Sequence, residues 1–245
     1  MPSKHLRATY RVQVHKDFTL DRVAGLTDYF AELGFSHVYC SPYLSSRPGS
    51  LHGYDVVNHS TVDDELGGAA ALERLMAALE AKQMGHILDV VPNHMTIAER
   101  ANEWWWDVLR NGPYSEYATF FDVDWDPPEA RLRRKILIPI LGDHYGRVLE
   151  KGEIKVEEEA DEFVVRYYDH VLPVAPDSIS YAFAEEGAHD IRRINDDAAL
   201  LHSLLELQHY RLAYWKTAGK ELNYRRFFAI NDLAALRVDR DDVFD

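Results

Sequence analysis

Apolar and polar positions repeat one rhythm over residues 8–94. Ala8 to Val14 alternates and carries the β-formers Tyr10, Val12 and Val14, which predicts a strand. Leu20, Val23, Ala24, Tyr29, Phe30 and Leu33 largely follow helical spacing, and Gly34 stands where a helix should stop. Phe35 to Cys40 reads as a second strand, ended by Ser41-Pro42. Leu72, Leu75, Met76 and Leu79 recur at i, i+3, i+4 and i+7, which predicts a helix over 69–83 with Gly85 just beyond it. His86 to Val91 is a nearly continuous apolar run, as expected of a parallel strand buried on both faces. Strand, helix, strand, helix, strand opens an α/β fold with right-handed crossovers, either a doubly wound sheet or a (β/α)8 barrel.

The rhythm breaks after residue 94. Residues 95–180 are aromatic and irregular, with Trp104-Trp105-Trp106, Pro127-Pro128 and a short β-like run from Phe163 to Tyr168. Lys135 to Leu141 is apolar but holds a proline, which suits an edge strand or an extended loop. Leu200, Leu201, Leu204, Leu205 and Leu212 predict one long helix over 187–218. On a helix, three successive tryptophans point about 100° apart, so at most two can be core. Anchoring the segment and lining a groove are both open roles for the run.

Composition narrows the function. The chain has 245 residues, 47% of them hydrophobic and 12% aromatic, enough for a sizeable core. A single Cys40 excludes an internal disulfide and zinc sites built from paired cysteines. The balance of 27 Lys+Arg against 41 Asp+Glu, a net charge of -14, disfavours nucleic acid and anionic membranes as partners. It is compatible with a neutral substrate. The run Glu157-Glu158-Glu159 reads as solvated surface. No run reaches the ~18 apolar residues of a membrane span. The first ten residues lack an apolar signal core, so a cytoplasmic location is the default expectation.

Parallel α/β folds carry their binding residues at the carboxyl ends of strands. Three segments fall there. The first is Asp89-Val-Val-Pro-Asn-His94. An Asp within an apolar strand is costly unless hydrogen-bonded, and Pro92 would end the strand and aim Asn93 and His94 at the open face. The second is Gly49-Ser-Leu-His-Gly-Tyr-Asp55, where Tyr54 offers a flat apolar face with a polar tip beside His52 and Asp55, a pairing that suits a sugar. The third is Gln13 with His15 at the end of the first strand. The spacing of His86, Asp89 and His94 matches no metal motif, and neither a Gly-rich phosphate loop nor a GxSxG elbow occurs. No metal is expected.

These residues carry a resemblance. Asp89-Val-Val-Pro-Asn-His94 resembles the first conserved region of the α-amylase superfamily, glycoside hydrolase family 13, and His52-Gly-Tyr-Asp55 that family's loop after strand two. Ala8 to His15, Ser36 to Tyr43, Arg47 to Asp55, Trp104 to Leu109, Phe163 to His170 and Asn231 to Arg237, in that order, are similar to the maltooligosyltrehalose synthase family within it. The resemblance implies a cytoplasmic isomerase that turns the reducing-end α-1,4 bond of a maltooligosaccharide, or of a linear α-1,4-glucan, into an α,α-1,1 trehalose linkage. The implied mechanism is retaining, with a carboxylate nucleophile and a second carboxyl group as acid and base. Tyr54 is expected to stack on the transferred glucosyl unit, His94 to hydrogen-bond it, and Asp89 to hold the pocket's shape. Asn93 binds calcium in many amylases, but this family is not expected to need it. The resemblance also implies the N-terminal part of a (β/α)8 barrel: residues 1–94 as its first units with about three strands, residues 95–225 as a large, mostly helical insertion, and residues 226–245 as a return towards strand four.

One departure matters. The family's nucleophile lies at the end of strand four and its acid/base follows strand five; neither strand five nor anything later fits in these residues. Ala235-Leu-Arg-Val-Asp239 imitates the nucleophile motif. In the family, however, the block ending at Arg237 precedes the true motif, and Arg240-Asp241-Asp242 is too polar for a buried strand. The expectation is therefore an incomplete barrel, inactive alone, lacking its C-terminal part and exposing an aggregation-prone strand edge. A non-catalytic glucan-binding module and another α-amylase-family hydrolase or transferase are the alternatives.

Overall fold

Alternation along β1 (Thr9–Val12) sends Val12 and, just beyond it, Val14 into the core and leaves Arg11 and Gln13 exposed. The computed structural model describes residues 5–98, 100–160, 162–182 and 191–244. After β1, the expected first helix is two short ones, α1 (Leu20–Ala24) and α2 (Thr27–Glu32). The chain turns at Gly25-Leu26, and the Thr27 hydroxyl donates to the Ala24 carbonyl at 2.9 Å. Gly34, at φ +83°, ends the pair as the sequence indicated. Next come β2 (His37–Cys40) and an antiparallel pair, β3 (Leu44–Ser46) and β4 (Val56–Val62), whose connection carries Tyr54. Helix α3 (Gly68–Ala81) buries Ala71, Leu75 and Leu79 and half-buries Leu72 and Met76. Each fully buried leucine contributes about 1.5–3 kcal/mol of transfer free energy. Strand β5 (Gly85–Leu88) and the short β6 (His94–Thr96) follow.

Strands β1, β2 and β5 form a parallel sheet in that order, with Val12 opposite Cys40 and Cys40 opposite Leu88. The order advances without reversing, as at the opening of a barrel and unlike the switch point of a doubly wound sheet. No closed barrel forms among the described residues. Cys40 is wholly buried beneath the sheet, and burial pushes its thiol up to about 12, so it is an inert core residue.

Strand β5 differs from expectation. It ends at Leu88 rather than Val91, and Leu88 and Val90 are 38% and 49% exposed. The reason is that β5 is an edge strand, so an apolar run that reads as doubly buried is covered on only part of its surface. Gly85 is a strand residue rather than a helix stop. Gln83, at φ +55°, makes the turn, while a Cβ at Gly85 would lie 2.2 Å from the His37 ring.

The chain divides into two compact units, Met1–Glu99 and Arg100–Asp245. The second begins with α4 (Glu103–Asn111), whose Asn102 cap accepts from the Trp105 amide at 3.1 Å. Then follow β7 (Ile136–Leu141), α5 (Tyr145–Glu150), an antiparallel meander of β8 (Ile154–Glu159), β9 (Glu162–Tyr167) and β10 (His170–Pro173), and α6 (Pro176–Ala182). Helices α7 (Ile191–Asp196) and α8 (Ala198–Glu206) lead into β11 (Tyr210–Tyr214), parallel to β7. Pro139 in β7 lies opposite a register shift between Leu212 and Tyr214, where a missing N–H is tolerated. Helix α9 (Ala218–Glu221), the pair β12 (Arg226–Phe227) and β13 (Ile230–Ala235), and α10 (Asp241–Phe244) complete it.

Two expectations need correction here. The segment mixes strands with its helices and is not mostly helical, because short stretches such as Ile154–Glu159, Glu162–Tyr167 and His170–Pro173 pair with one another as strands. The long helix over 187–218 does not form; residues 187–190 lie outside the described residues. Asp197 interrupts it by accepting from the Ala199 and Leu200 amides at 2.8 and 3.2 Å as the cap of α8. Gln208 closes the other end, donating to the Leu204 carbonyl at 2.6 Å and accepting from the Ala175 amide at 2.8 Å. Leu212 is therefore a strand residue.

Only Trp105 of the tryptophan run is core, with its ring 4.9 Å from Phe121 and 5.8 Å from Tyr224. Trp104, half-buried, stacks on Tyr117 at 5.6 Å. Trp106, also half-buried, lies under Arg100 at 4.5 Å.

Candidate functional site

Three of the sequence-nominated segments meet at the carboxyl ends of β1, β2 and β5. Asp89 follows β5 directly, and its Oδ2 accepts hydrogen bonds from two phenols, Tyr54 at 2.7 Å and Tyr39 at 3.0 Å. That satisfies the carboxylate without a metal or a cationic partner. Bonding to the Asp89 carboxylate raises the Tyr54 phenol above its ordinary value of 10, partly offset by a hydrogen bond from Arg11. The arrangement keeps Tyr54 neutral with its proton directed at Asp89.

Tyr54 is held at three further points. Its amide donates to His52 Nδ1 at 3.0 Å, its carbonyl accepts from His94 Nε2 at 3.1 Å, and its hydroxyl accepts from Arg11 Nη2 at 3.3 Å. The residue is nevertheless 36% exposed. The loop itself is fixed by Gln13 Nε2, which donates to the Leu51 carbonyl at 2.7 Å, and by the Ser50 hydroxyl, which donates to Asp55 at 2.5 Å. Asp55 also lies 3.6 Å from His52. Gly53 is required at φ +74°, because a Cβ there would stand 2.2 Å from the Pro42 carbonyl oxygen. A rigid aromatic face with fixed polar groups at its edge is the chemistry that receives the apolar face of a sugar ring.

His94 is 2% exposed, and burial holds its ring below the ordinary 6.5, the carbonyl of Tyr54 acting the other way. A neutral imidazole has one N–H. Asn93 Oδ1 lies 2.9 Å from Nδ1. With Nε2 donating to Tyr54, Nδ1 of the neutral ring is an acceptor, so the bond to Asn93 requires the side-chain amide turned to bring its NH2 group to that position. Both ring nitrogens are thus engaged within the protein, and His94 meets a sugar hydroxyl only by exchanging one of these bonds. His15 sits apart from the cluster in a tight turn in which its backbone pairs with Phe18.

Sequence reading missed Arg11 and Tyr39. They are register partners on adjacent parallel strands, with the Arg11 guanidinium 5.6 Å from the Tyr39 ring centre. Strand alternation alone would have placed Arg11 beside Gln13 on the exposed face of β1. Also unsignalled is an open cleft of about 1110 Å3 within the second unit, lined by His144, Tyr145, Arg211, Tyr214, Tyr224 and neighbours. Asp239, the residue imitating a nucleophile, is exposed and held by Arg237 through two 2.9 Å hydrogen bonds, which keep its carboxyl below the usual 3.8.

Among the described residues no cluster of three His, Cys, Asp or Glu could hold a metal ion. Among the same residues no helix is long and apolar enough to cross a membrane.

A family model described as the alpha-amylase catalytic domain matches residues 18–173. A protein of Mycobacterium tuberculosis named putative maltooligosyl trehalose synthase is 38% identical over 244 residues, covering 97% of this chain and 28% of that protein. The structure of maltooligosyltrehalose synthase from Arthrobacter ramosus matches with a TM-score of 0.80 at 39% identity, over 97% of this chain and 28% of that one. The crystal structure of a hypothetical maltooligosyl trehalose synthase from Sulfolobus tokodaii matches with a TM-score of 0.77 at 37% identity, over 98% and 29%. The chain thus spans less than a third of the length of these relatives.

Proposed function

The chain belongs to the α-amylase family, and on that footing we propose that it supplies the glucan-docking part of a maltooligosyltrehalose synthase. The complete enzyme converts the reducing-end α-1,4 bond of a maltooligosaccharide or linear α-1,4-glucan into an α,α-1,1 bond, in the cytoplasm and without an organic cofactor. Residues 1–94 are the opening units of its barrel, 95–225 its insertion and 226–245 the return towards strand four.

The observation that carries this reading is Tyr54, part-exposed and tied down at its amide, carbonyl and hydroxyl. Tyr54 stacks on the glucosyl unit to be transferred. Asp89 orients Tyr54 and Tyr39 instead of attacking carbon, since its Oδ2 already accepts two phenol protons. His94 backs the Tyr54 carbonyl and exchanges its Asn93 bond for a sugar hydroxyl when the site fills. Gln13, His52 and Asp55 keep the loop in place. Pre-set groups of this kind save the substrate the cost of ordering them.

Retaining transfer needs two carboxyl groups about 5–5.5 Å apart. Asp239 is engaged by Arg237 and Asp89 by two phenols, and neither stands as one of such a pair, so these 245 residues bind glucan without turning it over. The test is kinetic and uses the complete enzyme. His94→Ala should lower kcat more than it raises KM, because the sugar contact tightens as charge develops on the ring. Tyr54→Ala should harm both. A change confined to KM in the His94 variant, or none in the Tyr54 variant, would overturn the assignment.

A further inference from the structure

The Tyr54 hydroxyl is a junction. It donates to Asp89 at 2.7 Å and receives Arg11 Nη2 at 3.3 Å, while the same guanidinium reaches Gln13 Oε1 at 3.5 Å and overlies the Tyr39 ring at 5.6 Å. Gln13 in turn holds the Leu51 carbonyl at 2.7 Å. Arg11 lies on the exposed side of β1 and Gln13 just past its end, both exposed, so this one stretch of chain grips the tyrosine loop at two points.

We propose that Arg11 is a positioning residue for the sugar-stacking tyrosine: its guanidinium fixes the direction of the Tyr54 phenol and the angle of the Tyr54 ring. A phenol oxygen that accepts from Arg11 must point its one proton elsewhere, and Asp89 is the acceptor within reach. Rotation of the phenol is thereby removed. The planar fork of an arginine, held over the Tyr39 ring, is needed to touch Tyr54 and Gln13 together; a lysine ammonium can reach one of them at a time.

The inference rests on the proposed stacking role, and its test separates the two. In the complete enzyme carrying ring-labelled tyrosine, the Tyr54 carbon resonance, identified by its loss in Tyr54→Phe, is followed through its ionisation without substrate. Arg11 favours the ionised phenol and Asp89 opposes it, so Arg11→Gln should move the Tyr54 titration to higher pH, with circular dichroism unchanged. On maltooligosaccharides, Arg11→Gln should lower kcat/KM about three- to tenfold, the range expected for one lost hydrogen bond, and Arg11→Lys should restore part of it. The Arg11 effect should vanish in a Tyr54→Phe background. A Tyr54 resonance indifferent to Arg11→Gln overturns the positioning role, whatever the activity. A resonance that moves while kcat/KM does not overturns the sugar-stacking reading instead. An activity loss that persists in Tyr54→Phe shows that Arg11 acts by another route and also overturns the proposal.

Discussion

Tyr54 and Asp89 are joined by a 2.7 Å hydrogen bond across 35 residues of sequence, from the loop after β3 to the end of β5. That bond makes one unit of two motifs the sequence shows only as separate segments. It also decides their roles: the carboxylate is an acceptor that sets an aromatic ring, and the ring is what remains open to a ligand.

Asp89→Asn removes the charged acceptor of two phenols while keeping its shape. The Tyr54 phenol should then titrate closer to its ordinary value of 10, because the bond to Asp89 is the main cause of its rise. Loss of a charge-assisted bond should cost about 1.5–3 kcal/mol of stability. Ultraviolet titration and urea denaturation measure the two effects, and an unshifted Tyr54 would show that the bond does not form in solution.

Stability should fall on mild acidification. Burial holds His86, His94 and His209 below their ordinary 6.5, so the native state favours the neutral rings. Their contribution is complete above pH 6.5 and is lost as pH falls through the depressed native values. The melting temperature should therefore drop from about pH 7 to about pH 5, before the carboxylates titrate. His94→Gln should flatten part of that slope. A melting temperature constant over the window would contradict the burial of these rings.

Gly53→Ala is expected to be costly at a surface loop. The added Cβ meets the Pro42 carbonyl at 2.2 Å in a backbone conformation of φ +74°. A loss of about 1–3 kcal/mol is expected by thermal denaturation, with weakened glucan binding because Tyr54 is the next residue. An unchanged melting temperature would mean that the loop has another conformation.

The three tryptophans should separate by stability. Trp105→Ala should cost about 3–5 kcal/mol, the penalty for emptying a core aromatic site. Trp106→Ala forfeits its contact with Arg100 together with the burial of a half-buried ring, and should cost less than Trp105→Ala. Trp104→Ala, losing its stack on Tyr117, should fall between them. Equal costs at all three positions would contradict the orientation of α4.

Much of the first unit was legible because parallel strands and their crossover helices carry strong periodicity. Leu75 and Leu79 fell where spacing placed them, and Gly34 ended its helix as a left-handed residue. Strand β5 misled, because an apolar composition does not say whether a strand lies at a sheet edge. The second unit was harder. Its leucine run breaks at Asp197, a residue equally at home on a solvated helix face and at a cap, and Leu212 joins a strand through a partner about 75 residues away in sequence. At the site, residue types and strand ends were readable. The hydrogen bonds of Arg11 and Tyr39 to it were not, since exposed polar residues on a strand announce no partner.

The most direct measurement is nuclear magnetic resonance of maltopentaose mixed with the 245-residue chain, following ligand and products in one sample. The wild-type chain should broaden the sugar resonances, Tyr54→Ala should not, and no new anomeric signal should grow. Sugar lines untouched by the wild-type chain, or glucose or a non-reducing product whose formation stops in Asp239→Asn, would contradict the assignment of docking without chemistry.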